Sequence, residues 1–267
     1  MRFRMIRPAL ILMVMAVMAW IDVTVAAEGY GKRKRRPKPN EYGVTVIDIA
    51  STKNEIAAVA FPHWLHRSNY TCRLCHIDIG FAMTAGETGI TEADNRNGLY
   101  CGACHDGTTA FRWAEISEKG AEKQNCVRCH SVGVADAPHA DFYAFRAEMP
   151  RERFGNGINW VEAEAQGLIT PVDFLDTISF ERRKLENPVD ETLEAKEIMM
   201  PNIVFSHAAH TVWNGCEVCH PQIFGVKKEA NQYTMQQIFD GLYCGACHGK
   251  VAFSSDDCQR CHTEPVS

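Results

Sequence analysis

Gly98-Leu99-Tyr100-Cys101-Gly102-Ala103-Cys104-His105 occurs twice in this chain, returning unchanged as Gly241-Leu242-Tyr243-Cys244-Gly245-Ala246-Cys247-His248. Its last five residues are one of six copies of C-x-x-C-H. The other four single copies are Cys72–Cys75–His76, Cys126–Cys129–His130, Cys216–Cys219–His220 and Cys258–Cys261–His262. The six motifs use all 12 cysteines of the 267 residues. The spacing is the attachment signal for a c-type haem. Two intervening residues let both sulfurs reach one porphyrin edge, and the next residue is then aimed at the iron. Six motifs predict six covalently bound haem c groups, each with the motif histidine as one axial ligand. A zinc framework needs paired C-x-x-C units and no histidine after each. A disulfide framework leaves six histidines unexplained.

The repetition extends outward from the octapeptide. Phe61-Pro62-His63-Trp64-Leu65-His66 precedes Cys72 at the offset with which Phe205-Ser206-His207-Ala208-Ala209-His210 precedes Cys216. Ala110-Phe111 is echoed by Ala252-Phe253, and Cys126-Val127-Arg128-Cys129-His130 by Cys258-Gln259-Arg260-Cys261-His262. Two tandem three-haem modules account for this order. The first is expected over residues 41–130 and the second over 203–267, with a connector at 131–202.

Local pattern completes the fold reading. Val44 to Ile49 alternates and Ile56 to Phe61 is apolar, which predicts a small hairpin leading into His63; Ile203 to Phe205 is its reduced counterpart. Asn159 is placed to cap a short helix with Trp160, Val161 and Leu168 on one side, limited by Pro171. Asp173 to Lys196 is charged and reads as surface. Gly102 and Gly245 fit backbone lying against a porphyrin, and Phe111 and Phe253 are expected on a haem. About 240 residues beyond the leader serve six cofactors, too few for a large side-chain core. The fold class expected is therefore mainly α and irregular with little β, its interior built around haems.

Residues 1–27 read as a signal peptide: Arg2, Arg4 and Arg7, then an apolar run from Ala9 to Ile21, then Val25-Ala26-Ala27. The apolar run is short for a bilayer span. Export to the periplasm agrees with haem attachment outside the cytoplasm. Removing three arginines and Asp22 from 28 basic and 33 acidic groups leaves a net charge of −7. Residues 28–40 form a basic linker, with six positive charges among residues 32–38. It reads as a solvated tether, or as a docking element for anionic lipid or an acidic partner. An acidic exported chain of this kind excludes nucleic acid as a partner.

Of 11 histidines, six lie in the motifs, leaving His63, His66, His139, His207 and His210. Five spare histidines cannot give six haems a second imidazole each. At least one iron takes a methionine, another ligand, an open site or a neighbouring subunit's residue. His63/His66 and His207/His210 are i, i+3 pairs on one helical face, so each pair can serve two adjacent porphyrins.

The order F-x-H-x-x-H, C-x-x-C-H, G-L-Y-C-G-A-C-H, A-F, C-x-x-C-H resembles the three-haem c-seven cytochromes of the class III multihaem group, over residues 56–130 and 203–262. The resemblance implies that His63 faces the haem of His76, His66 that of His105, His207 that of His220 and His210 that of His248. In fused members a T-M pair ahead of the C-G-x-C-H site ligates the module's last haem. Thr234-Met235 matches, making Met235 the candidate for the haem of His262. Thr91-Glu92 departs from the pattern, so the haem of His130 is left with Met83, His139 or no sixth ligand.

These readings predict an electron carrier rather than an enzyme, working with other cytochromes or a membrane quinone-linked complex. Two alternatives remain open: a reductase acting at an open haem of His130, and a haem-filament subunit in which His139 is donated to a neighbour.

Overall fold

The computed structural model describes residues 35–116, 122–183, 185–195, 200–227 and 230–264. The signal-peptide reading and residues 32–34 of the basic run lie outside them. From Lys38 onward the chain folds as one unit. Among the described residues no helix exceeds eight residues, and none is long and apolar enough to cross a membrane. Helices this short do not hold their shape by propensity alone and depend on what packs against them.

The first module opens with a hairpin, β1 (Val44–Ile47) against β2 (Val59–Pro62), in register Thr45↔Phe61. Helix α1 (Ile49–Lys53) lies between the strands, and α2 (His63–Arg67) follows β2 directly. The second module repeats this. Strand β3 (Glu191–Leu193) pairs with β4 (Asn202–Phe205), Glu191↔Phe205, and the helix His207–Asn214 follows. The partner strand thus comes from the segment read as connector. Each module's last motif closes onto its hairpin: His130 bridges to Val59, and His262, opening β5 (His262–Glu264), pairs with Ile203.

Capping chemistry sets the approach to each octapeptide. Thr91 and Asp94 form a capping box on the helix Glu92–Arg96, as Thr234 and Gln237 do on Met235–Phe239. Gly98 and Gly241 then take left-handed φ of 80° and 89°. Tyr100 and Tyr243 do the same, at 49° and 51°. Such backbone costs a non-glycine residue energy, and both repeats carry it at the same place.

Gly102 and Gly245 have a local reason to be glycine. A Cβ on Gly102 would lie 1.9 Å from the Asn95 carbonyl oxygen, and one on Gly245 1.8 Å from that of Ile238. The preceding helix leaves no room for a side chain at either position.

Only eleven hydrophobic side chains are buried among the described residues, which matches a chain with little room for a conventional core. Seven of the eleven do cluster. Trp64 of the first module meets Phe142, Ile158, Trp160, Ala163 and Ile169 of the intervening segment and Trp213 of the second. Asn159 caps the helix Trp160–Ala165, accepting from the Glu162 amide. Its buried face differs from the one expected. Val161 is 61% exposed and Leu168 falls beyond the helix, while Trp160 and Ala163, three residues apart, point inward.

The charged stretch beginning at Asp173 is not uniformly surface. Arg73, 2% exposed, sits inside the first haem motif. Its Nη1 donates to Asp78 Oδ2 at 3.0 Å, and its Nη2 lies 2.9 Å from Asp173 Oδ2. Arg182 then spans from Asp78 at 2.9 Å to Glu217 at 2.5 Å, inside the second module's first motif. A salt-bridged line thus joins the two modules through the segment between them.

Candidate metal centres

Three pairs of histidine rings face one another as metal ligands would. His63 and His76 are 6.5 Å apart between ring centres and nearly parallel, at 5°. His66 and His105 are 6.3 Å apart, His210 and His248 6.1 Å. An ion held between two imidazoles at about 2 Å from each nitrogen puts the ring centres about 6.3 Å apart. The residues therefore fit haem iron at these three places. Among the described residues no ring contact joins the fourth expected pair, His207 and His220.

Hydrogen bonding prepares the rings. Nδ1 lies 2.9 Å from the Phe81 carbonyl oxygen in His76, 2.9 Å from Phe111 in His105 and 2.7 Å from Ala57 in His130. In the second module it lies 2.8 Å from Phe224 in His220, 3.4 Å from Phe253 in His248 and 2.7 Å from Pro201 in His262. His66, His207 and His210 use the carbonyls of Pro62, Val189 and Ser206, and His63 uses Thr45 Oγ1 at 3.3 Å. A carbonyl only accepts, so Nδ1 carries the proton and Nε2 keeps the lone pair a metal needs. Only His139, of the eleven, lacks such a bond among the described residues, and it is exposed.

Burial keeps two rings neutral. It pushes His63 down to about 4, assisted by His76 and His66, and His248 down to about 4, assisted by His210. Phe61 stacks on His66 at 4.2 Å and meets His63 edge-on at 4.7 Å; Phe205 repeats this on His210 and His207 at 4.3 and 4.9 Å. Phe111 and Phe253 lie on the motif rings of His105 and His248, at 4.4 and 4.1 Å. The guanidinium of Arg128 covers Phe111, and that of Arg260 covers Phe253. Arginine at the second variable position of both third motifs is the signal that could have found this link.

The thiols stand for the thioether sulfurs of the mature protein. None of the twelve is in a disulfide. Burial raises Cys75 and Cys247 to about 12, and Cys101 and Cys244 to about 11. Thiols so shifted are poor nucleophiles, which disfavours a redox dithiol. Among the described residues no three His, Cys, Asp or Glu side chains converge as a metal cage, which disfavours the zinc framework.

The remaining candidate ligands are placed unequally. Met235 begins its helix and is 38% exposed. Its counterpart Glu92 is tied to Arg96, which donates from Nε at 2.7 Å. Met83 is half-buried in the loop after the first motif.

The family model "cytochrome c7 and related cytochrome c" matches residues 59–131 and 203–263, half of the chain. A c7-type three-heme cytochrome domain is 38% identical over 29% of this chain and 95% of its own, with a TM-score of 0.27. The C-terminal hexaheme fragment of GSU1996 is 26% identical over 83% of this chain and 97% of its own, with a TM-score of 0.26. The N-terminal hexaheme fragment is also 26% identical, over 83% and 98%, with a TM-score of 0.25. No curated protein matches the chain.

Proposed function

This chain belongs to the family of cytochrome c7 and related cytochrome c, and from that premise we propose that it is an exported electron relay holding six haem c groups. The observation that carries the reading is the set of three histidine pairs at 6.1 to 6.5 Å. A bound haem supplies a one-electron ferric–ferrous couple. The protein's part would be to anchor it through two cysteines and to offer the iron two histidine nitrogens at each of these pairs, which would leave a substrate no place at those metals.

In this reading His63 and His76 hold one iron, His66 and His105 a second, and His210 and His248 a third. His207 with His220 and Met235 with His262 complete two more. The chain works in the periplasm after loss of residues 1–27. Its partners are other cytochromes or a quinone-linked membrane complex, and the basic stretch around residues 32–38 docks it.

One observation favours a second activity at a single centre. The position that offers Met235 in the second module offers Glu92 in the first, already engaged by Arg96. The haem of His130 then has an open site unless Met83 or His139 fills it, and an open site permits reductase chemistry.

Mass spectrometry of the exported protein is expected to show six covalent porphyrin masses. Low-temperature EPR with near-infrared MCD is expected to count four bis-histidine centres and at least one histidine–methionine centre. Two or more high-spin irons, or fewer than six porphyrins, refute the relay. A single high-spin centre altered by cyanide or nitrite supports the reductase reading.

A further inference from the structure

Arg67 has no equivalent in the second repeat, where Thr211 follows the histidine pair. Its guanidinium lies between two tryptophans, 4.4 Å from the ring of Trp160 and 5.0 Å from that of Trp213. Trp160 belongs to the intervening segment and Trp213 to the second module, so the charge stands where three parts of the chain meet. Nη1 donates to the Val251 carbonyl at 2.6 Å. Nε is shielded from solvent and has no hydrogen-bond partner. No carboxylate ion pair with Arg67 is found among the described residues, and Glu164 interacts with it electrostatically. A guanidinium keeps its proton in proteins. This is a fixed positive charge with no counter-ion in contact among the described residues.

Two metal centres share its field. Arg67 closes α2, one helical turn after His63, which faces His76. The Val251 that it holds donates its own amide to the Cys247 carbonyl at 2.9 Å, in the motif of His248, which faces His210. The anchoring sulfurs with which it interacts electrostatically are Cys72 and Cys247, one from each of these centres. Backbone contacts fix the same approach: Tyr42 Oη donates to Ala252 O at 2.8 Å, beside the Val251 carbonyl that Arg67 holds. Reducing an iron adds one negative charge, and a nearby positive charge favours the reduced form.

We propose that Arg67 is a positioning charge that raises the reduction potentials of the haems of His76 and His248 together, making them the pair through which the modules couple. The inference rests on the relay reading. It departs from chain order, in which the haem of His130 would adjoin that of His220.

The test uses the full holoprotein and an NMR-followed redox titration that resolves individual haem methyl signals. Arg67→Met keeps a stem between the tryptophans and removes the charge. At fixed potential the ferrous-to-ferric ratio of these two haems should fall about tenfold, equivalent to 59 mV for a one-electron couple. The other four should change less than twofold, and Arg67→Lys should restore the values. No shift, or an equal shift of all six, overturns the proposal. The unaltered protein gives a second measurement should the variant fail to assemble: the strongest redox interaction between modules must join the haems of His76 and His248. Finding it between those of His130 and His220 overturns the proposal while the relay stands. Failure of the six haems to titrate reversibly removes the relay and this inference with it.

Discussion

Replacing Arg73 by methionine should destabilise the holoprotein more than any single surface change. Arg73 is 2% exposed and Asp78 5%, so the pair lies away from solvent. Removing the guanidinium leaves the Asp78 carboxylate with Arg182, which is 25% exposed. Breaking one side of a buried pair costs about 3–5 kcal/mol, mostly as desolvation of the charge left behind. The Asp173 contact adds little, since that carboxylate is 40% exposed and solvent-screened pairs contribute about 0–1 kcal/mol. At about 2–4 °C per kcal/mol for a unit of this size, a loss near 3 kcal/mol lowers the melting temperature by about 6–12 °C. Thermal unfolding followed by far-UV circular dichroism and Soret absorbance measures it. Arg73→Met with Asp78→Asn removes both charges, and the double variant should recover a good part of the loss, because contacting partners are not additive. A drop of under 1 kcal/mol for Arg73→Met, or strict additivity, refutes the reasoning: the network would then be solvent-relaxed and would not tie the modules.

The remaining expectations are more local. Gly102→Ala, whose new Cβ meets the Asn95 carbonyl, should cost about 2–4 kcal/mol by chemical denaturation; Gly98→Ala, with open space but φ of 80°, should cost about 1–2 kcal/mol. Equal costs would show that the helix can move away. Met235→Leu should abolish a methionine–iron charge-transfer band and lower the potential of one haem; an unchanged spectrum removes Met235 as a ligand. Burial raises Tyr42 from 10.0 to about 12. The folded state therefore keeps this proton longer than the unfolded state does. The stability Tyr42 contributes is whole below pH 10 and is lost as pH rises to about 12, up to about 2.7 kcal/mol. Tyr42→Phe should lack that alkaline decline in its denaturation midpoints, and an identical pH profile counts against the assignment.

What the sequence made legible is what local spacing encodes. C-x-x-C-H names cofactor, anchor and first ligand within five residues. The i, i+3 histidines of α2 follow from helical geometry, and the hairpin ahead of them from alternation. The partners of Nδ1 did not follow. His130 draws on Ala57 and His262 on Pro201, carbonyls brought near by strand pairing, with no side-chain signature. Likewise nothing in a charged stretch distinguishes Asp173 or Arg182 from solvated neighbours, because Arg73 lies 100 residues from Asp173. Composition fixed the small size of the core but not that Trp64, Trp160 and Trp213 would meet. The misplaced face of the helix Trp160–Ala165 has the same origin: two turns expose too short a pattern to fix the buried side.

The repeats differ in one side chain at a point where their helix caps agree. Thr91 and Thr234 cap equivalent helices by the same reciprocal box, so the next residue leaves each cap along the same path. Met235 occupies that position in one module and Glu92 in the other. Glu92→Met should therefore carry a thioether to the place in the first module that Met235 has in the second. Its cost is small, since the ion pair it removes is between side chains 36% and 76% exposed and an i, i+4 pair of that kind contributes about 0.3–0.5 kcal/mol. If the haem of His130 stands to Glu92 as that of His262 stands to Met235, the variant gains a second methionine–iron band and raises one potential. Any high-spin signal at that centre should vanish, with its response to cyanide. A variant that folds like the parent yet shows neither change would mean that the equivalence of the two modules ends at the cap, and that the last haem of the first module is approached from another side.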